Sequence, residues 1–321
     1  MVKQKDVFEK VAVLTGGVGT ERPISLLSGQ NVYQSLQKTG LDVVYFDITP
    51  DDMSILDDQS IDIFFLILHG QFGEDGRLQA ELEKRKLCFT GSGSKASRLA
   101  MDKVAAKLLF ARAGVAVPKC YASFDQTLDE HWLNQCLPEI DGKRVVKPIR
   151  HGSSVGVQIV DTREETKKAA RDCFQTYHEC MIEEYIPGQE VTVGILGEKT
   201  LPILEICSQE KFYDYHAKYI SDKTQYLFDT IKNKNLIATL DRQALSCFRT
   251  LECRHWGRVD FIVNPDGIPY VLEVNTLPGF TSHSLVPMAA AKIGLSADQL
   301  CLKILQAAWE DFHTKTKRTA K

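Results

Sequence analysis

The sequence lacks the signatures that would settle its chemistry at once. No G-x-x-x-x-G-K-[ST] occurs, so no P-loop is present. No pair of cysteines is spaced C-x-x-C, and none of the nine stands near histidine at zinc-finger spacing, which removes the common structural zinc sites. The scattered, odd set predicts buried thiols in a reducing compartment rather than a disulfide framework. Charge of one sign is also missing. A net charge of -3 over 321 residues argues against nucleic-acid binding by phosphate neutralisation, and the basic tail from His313 to Lys321 reads as a solvated terminus. Long apolar runs are absent too. The longest, "IFFLIL" (Ile63 to Leu68), is too short to cross a bilayer. The charged opening "MVKQKDVFEK" has no signal-peptide core. The expectation is a cytoplasmic protein with no membrane and no nucleic-acid partner.

What is present is an α/β pattern. "KVAVLTGG", "LDVVYFDI" and "IDIFFLILHG" read as apolar strands separated by helices, which predicts a mostly parallel sheet covered on both faces. "ISLLSGQNVYQSLQKTG" reads as a helix stopped by Gly40, and a single helix is predicted from about Lys95 to Arg112, capped by Ser94. Short strands then surround a helix over Glu164 to Tyr177. A polar stretch from Ser208 to Lys234 reads as a long loop. Helices near Leu240–Leu251 and ending near Phe312 complete the pattern.

Three groups of residues point to chemistry. "GRVDFIVNPDGIPYVLEVNTLPG" (Gly257 to Gly279) reads as a hairpin around the turn "NPDG". An even loop, with Val263 opposite Ile268, would place Val259, Phe261, Val263, Tyr270, Leu272 and Val274 on one face. Arg258 would then oppose Glu273 and Asp260 would oppose Val271, with Arg258, Asp260, Glu273 and Asn275 all on the other face. Three oxygen donors beside a guanidinium suit Mg²⁺, which takes a few carboxylates plus phosphate oxygens and water. An odd loop would split the carboxylates between faces. Second, "VKPIRHGSSVGV" (Val146 to Val157) carries a lysine and a Gly-Ser-Ser turn whose small residues let backbone amides approach an anion; Lys103, Lys147 and Lys218 are the candidate phosphate contacts. Third, "LTGGVGTER" fails the dinucleotide fingerprint, because the last glycine position falls on Arg22. Glu21, after the glycines, either favours a helix dipole or faces an amine.

Taken together, "GGVGTERPISLLSG", "HGQFGEDGRLQAELE", "VKPIRHGSSVGV", "IEEYIPGQEVTVGILG", "YDYHAKY", "RVDFIV" and "LEVNTLPGFTSHSLVPMAA" resemble the D-alanine–D-alanine ligases of the ATP-grasp superfamily, in family order and almost end to end. The resemblance implies an ATP-grasp fold of three α/β domains: residues 1–100 N-terminal and substrate-binding, 101–186 central, and 187–321 C-terminal with metal and second-substrate sites. It implies ATP-dependent joining of two D-alanines through an acylphosphate for peptidoglycan synthesis. Cofactors would be ATP and two Mg²⁺ (or Mn²⁺), and the assembly a homodimer. Residue by residue, it implies that Glu21, Ser153 and Tyr219 form a hydrogen-bonded triad at the first D-alanine. Arg258 and the backbone at Gly279 would stabilise the oxyanion; Asp260, Glu273 and Asn275 would hold the metal ions. Lys103, Lys147, Lys218, Ser153 and Ser154 would contact phosphates; Glu183, Glu184, Tyr185 and Ile186 would meet adenine, and Glu190 ribose. Ser284 and Leu285 would meet the second D-alanine, with His69 nearby. The nearest alternative is a depsipeptide ligase using D-lactate; those relatives depart from the Lys-Tyr pair that stands here as Lys218–Tyr219. His151 replaces a frequent acid, and Pro23 another.

Overall fold

The computed structural model describes residues 7–124, 128–207, 224–281 and 283–319. Strands β1 (Lys10–Gly16), β2 (Asp42–Ile48) and β3 (Ile63–Leu66) form a parallel sheet in the order β2-β1-β3, with Val11 opposite both Val43 and Ile63. Helix α1 (Arg22–Gln37), which connects β1 to β2, begins with Pro23 in its first turn, where a missing N–H costs nothing.

The sequence predicted one helix from Lys95 to Arg112, but there are two. After α2 (Arg77–Lys84), α3 spans Ser94–Met101 and α4 spans Lys103–Arg112. Asp102 breaks them apart: its backbone is extended (φ -83, ψ 95) and its side chain accepts from the Ala105 N–H, capping α4. Ser94 is the first residue of α3 rather than its cap, and its hydroxyl donates to Glu83. The break matters because it sets Lys103 at the first turn of α4.

The second sheet is antiparallel, ordered β4-β7-β5-β6, from β4 (Cys120–Phe124), β5 (Arg144–Lys147), β6 (Gln158–Val160) and β7 (Glu179–Glu184). Helix α5 (Glu130–Cys136), too short for a periodic signal, packs here with α6 (Arg163–Tyr177). A capping box between Thr162 and Glu165 starts α6.

The third sheet contains β8 (Gln189–Leu196), β9 (Lys199–Thr200), β10 (Leu204–Cys207), β11 (Gln225–Phe228), β12 (Trp256–Val263) and β13 (Pro269–Asn275). Its order is β11-β10-β8-β12-β13, with β9 paired to β8. Helix α7 (Lys234–Thr250) buries Leu240, Ala244 and Phe248 against Val193, Val259 and Phe261. Part of the stretch read as a long loop is therefore the strand β11; residues 208–223 lie outside the description.

After α8 (Leu285–Lys292), helix α9 (Ala297–Thr319) returns to the first sheet. The core is continuous across this seam, with Phe65 against Trp256 and Phe280 at centroid separations of 6.3 and 6.4 Å. A polar clasp reinforces it. His255 Nδ1 accepts from Gly91 N–H at 3.0 Å, its Nε2 lies 3.3 Å from Asp311, and Arg254 pairs with Asp311 at 2.9 Å. Among the described residues, no single helix is long and apolar enough to cross a membrane.

Candidate active site

The hairpin reaches the expected one-sided arrangement by a different route. Its loop, residues 264–268, is odd: Val263 opposes Pro269, not Ile268. That register alone would put Asp260 on the face away from Glu273 and Asn275. A β-bulge at Leu272 corrects it, so that Phe261 opposes Val271 while Asp260 opposes Glu273 and Arg258 opposes Asn275. Val271 rather than Leu272 joins the buried face with Phe261, and Leu272 turns toward the cleft beside Ile262. The predicted pairs Arg258–Glu273 and Asp260–Val271 are thereby replaced.

On the cleft face, Asp260 is buried and its charge is met from two sides. Arg258 donates to both of its oxygens, at 2.9 and 2.7 Å, and the Thr192 hydroxyl to one at 2.6 Å. Asn275 Oδ1 accepts from Leu277 N–H at 3.0 Å, and Glu273 lies 3.4 Å from Lys103 Nζ. Among the described residues, no three His, Cys, Asp or Glu groups close on a ready-made metal cage. Asp260, Glu273 and Asn275 are hard oxygen donors on adjacent strand positions, the kind of partial set that Mg²⁺ completes with phosphate and water.

The Gly-Ser-Ser loop arches over this hairpin. Ser153 and Ser154 both hold left-handed backbone conformations, φ 51 and φ 58, which costs roughly 1 kcal/mol or more for each non-glycine residue. The Ser153 hydroxyl donates to Glu21 at the N-cap of α1, tying the loop to the first sheet. Gly70 is needed opposite, since a Cβ there would sit 2.4 Å from a Glu21 oxygen. The loop is also fastened at its root. Lys103 Nζ donates to the His151 carbonyl at 2.6 Å, and Arg150 bridges Asp102 and Glu179 at 2.6 and 2.7 Å. His151 stacks edge-on against Tyr177, centroids 4.7 Å apart, with Nδ1 3.9 Å from Glu179. It anchors the loop to α6.

A buried ionic triplet lies behind the loop. Glu183 meets Lys107 at 2.9 Å and Lys147 at 2.5 Å, and all three side chains are nearly inaccessible. Burial opposes ionisation of Glu183, yet the two ammonium groups outweigh it and hold the carboxyl below the ordinary range. Burial lowers Lys107 despite its partner.

Two adjoining clefts result. Glu21, His69, Ser153, Arg258, Asn275, Gly279, Ser284 and Leu285 line the first. Lys147, Ser154, Glu183, Glu184, Tyr185, Ile186 and Glu190 line the second. Lys103, Asp260 and Glu273 line both. Every candidate residue of the sequence is thus gathered at the clefts except Lys218 and Tyr219, which lie outside the described residues. In the first cleft, Gly279 packs so close to Ser284 that a Cβ would fall 2.8 Å from its hydroxyl oxygen. Burial lowers the His69 pKa to about 4 against the hydrogen bond it makes to the Leu277 backbone, with the Arg258 charge adding to the drop. The ring is neutral near pH 7.

Glu74 was not singled out by the sequence. It lines the first cleft, accepts from Gly70 N–H at 2.5 Å, and is walled in so that its pKa rises to about 8. Desolvation is the main cause, with the neighbouring Glu21 and Glu273 charges adding and Arg258 opposing. Its only signal was membership of "HGQFGEDG", where the adjacent Asp75 instead caps the local turn through Phe72 and Arg77 N–H groups. Lys107 and Thr192 were not singled out by the sequence either.

The sequence pattern of the family described as "D-ala D-ala ligase C-terminus" matches residues 109–306. A D-alanine–D-alanine ligase of Vesicomyosocius okutanii subsp. Calyptogena okutanii is 42% identical over 296 residues, covering 92% of this chain and 99% of the relative. Among solved structures, the D-alanine–D-alanine ligase of Bacillus anthracis complexed with ATP superimposes with a TM-score of 0.82 at 30% identity, covering 96% of this chain and 99% of that one. The VanG D-Ala:D-Ser ligase of Enterococcus faecalis gives a TM-score of 0.81 at 28% identity, with 94% and 100% covered.

Proposed function

Because this chain belongs to the D-alanine–D-alanine ligase family, we propose that it joins two D-alanines to D-alanyl-D-alanine with conversion of ATP to ADP and phosphate. The observation that carries the reading is the wall of Lys103, Asp260 and Glu273 common to both clefts. A nucleotide in the second cleft and an amino acid in the first would meet there, γ-phosphate against carboxylate.

In the first step, a carboxylate oxygen of one D-alanine forms a bond to the γ-phosphorus as the bond to ADP breaks, giving D-alanyl phosphate. The chain supplies positioning and charge, which is what phosphoryl transfer requires. Lys103, the lysine of the shared wall, lies nearest the transferred group, and the Ser153–Ser154 backbone covers it. Lys147 and Lys218 face the other phosphates; Glu183 to Ile186 and Glu190 hold adenine and ribose. Glu21, fixed by Ser153 and joined by Tyr219, orients the first ammonium group. Asp260, Glu273 and Asn275 would hold two Mg²⁺ or Mn²⁺ ions, whose chemistry is to neutralise phosphate charge.

In the second step, the amine of another D-alanine, seated by Ser284 and Leu285, attacks the acyl carbon. Arg258 and the Gly279 backbone meet the developing oxyanion, an interaction of about 3 kcal/mol, and collapse of the tetrahedral intermediate expels phosphate. The loop over both clefts would keep water from the acylphosphate. As part of the same reading, the enzyme works as a cytoplasmic homodimer supplying peptidoglycan synthesis, and its nine free thiols suit a reducing compartment. The test supplies ATP, Mg²⁺ and D-alanine and follows phosphate and dipeptide together, with D-lactate as competitor. Equal amounts of dipeptide and phosphate are expected; no dipeptide at any pH or monovalent-cation condition rejects the reading, and preferential depsipeptide formation selects the D-lactate alternative.

A further inference from the structure

One face of α1 carries a polar stripe that the proposed chemistry does not use. Ser25, Ser28 and Asn31 follow Glu21 at intervals of four, three and three, so all four lie on one side of the helix. Ser25 and Ser28 are fully buried. Buried hydroxyls on a helix commonly satisfy their own backbone, but these reach across the molecule. Ser25 Oγ accepts the His69 backbone N–H at 2.8 Å. Asn31 Nδ2 donates to the Phe280 carbonyl at 3.0 Å. Between them, Ser28 Oγ accepts the Phe280 N–H at 3.2 Å and lies 3.1 Å from His69 Nε2.

The Phe280 amide can only donate, so it uses one lone pair of Ser28. The contact between Ser28 Oγ and His69 Nε2 follows the ring tautomer: the hydroxyl donates to a bare Nε2, or its second lone pair accepts from a protonated one. The Leu277 backbone also bonds the ring, and burial keeps the imidazole neutral. Nε2 is engaged by Ser28 in either tautomer. The ring is a fixed post beside Gly279 and Ser284, not a free base.

We infer that Ser28 is a positioning residue for the second D-alanine: its hydroxyl, set between His69 and the Phe280 amide, holds the Gly279–Phe280 segment at a fixed distance from the helix that carries Glu21. The inference rests on the ligase reading. On this geometry α1 acts as a gauge between the two amino-acid positions, with Glu21 at one end and Ser28 and Asn31 along its length. Removing the hydroxyl leaves the Phe280 N–H unpaired in a buried place and releases the ring, and displacements well under an ångström matter in such a site.

The test compares wild type, Ser28→Ala and Asn31→Ala, the last a less buried member of the same stripe. Steady-state kinetics would separate the KM values for ATP and for the first and second D-alanine. Histidine ¹⁵N spectra would report the His69 tautomer without any need for turnover. For Ser28→Ala we expect the KM of the second D-alanine to rise about tenfold or more, with those for ATP and the first D-alanine held within about twofold, and the Nε2 resonance to move toward an unbonded nitrogen. Asn31→Ala should move the same KM in the same direction by less. An active enzyme whose second KM and His69 spectrum are unchanged in Ser28→Ala overturns the inference alone. Equal losses in kcat and in all three KM values also overturn it, since they mark a merely structural role. A wild type that forms no dipeptide rejects the ligase reading itself, while the spectra still decide whether Ser28 holds His69.

Discussion

At the residue scale, environment separates side chains that look alike in sequence. Glu74 and Asp75 are neighbours, yet Asp75 serves its local turn while Glu74 is enclosed beside two other carboxylates. Because the Glu74 pKa rises from 4.5 to about 8, the folded protein binds more protons than the unfolded chain between those values. The sign follows from linkage: ionisation opposes folding, so this group makes the ligand-free protein less stable as pH rises from 4.5 toward 8. Glu74→Gln should flatten that decline in urea melts recorded across the range; an unchanged slope would show that the carboxyl is ionised throughout. None of this was legible beforehand, since nothing in "HGQFGEDG" says which acid turns inward. By contrast, Arg258, Asp260 and Ser153 were nameable, because each sat in a motif whose composition already suggested anion or metal chemistry, while Glu21 was nameable as an acid that could face an amine and took its site role from the family resemblance.

At the element scale, the fold depends on two local irregularities. Asp102 divides what periodicity presents as one helix, and the Leu272 bulge restores the face alternation that an odd hairpin loop would lose. Periodicity averages over a window, so a single residue that changes course is invisible to it. The apolar strands and long amphipathic helices, which repeat a signal many times, were legible. The strand β7 shows what such an element can carry, because its Glu183 meets lysines from α4 and β5. Glu183→Gln would leave Lys107 and Lys147 buried with no full countercharge. The expected loss is about 3 kcal/mol or more in unfolding free energy, together with weaker ATP binding. A variant as stable as wild type would mean that water reaches those ammonium groups.

At the scale of the whole molecule, three sheets meet at one pair of clefts, the core of the first running on into the third, held by contacts of very long sequence separation. Glu21 with Ser153, Lys103 with Glu273, and His255 with Asp311 each join distant parts of the chain. Such pairings leave no trace in local pattern, and the order of motifs along the chain, read through family resemblance, was what suggested them. The proposed function makes one chemical demand: the substrate carboxylate must itself take the phosphoryl group. Carboxylate ¹⁸O-labelled D-alanine tests this directly. If the first D-alanine is phosphorylated and the amine then expels phosphate, each dipeptide formed must be matched by one inorganic phosphate carrying a single ¹⁸O. Dipeptide accompanied by unlabelled phosphate would contradict the acylphosphate route and the role assigned to the two clefts.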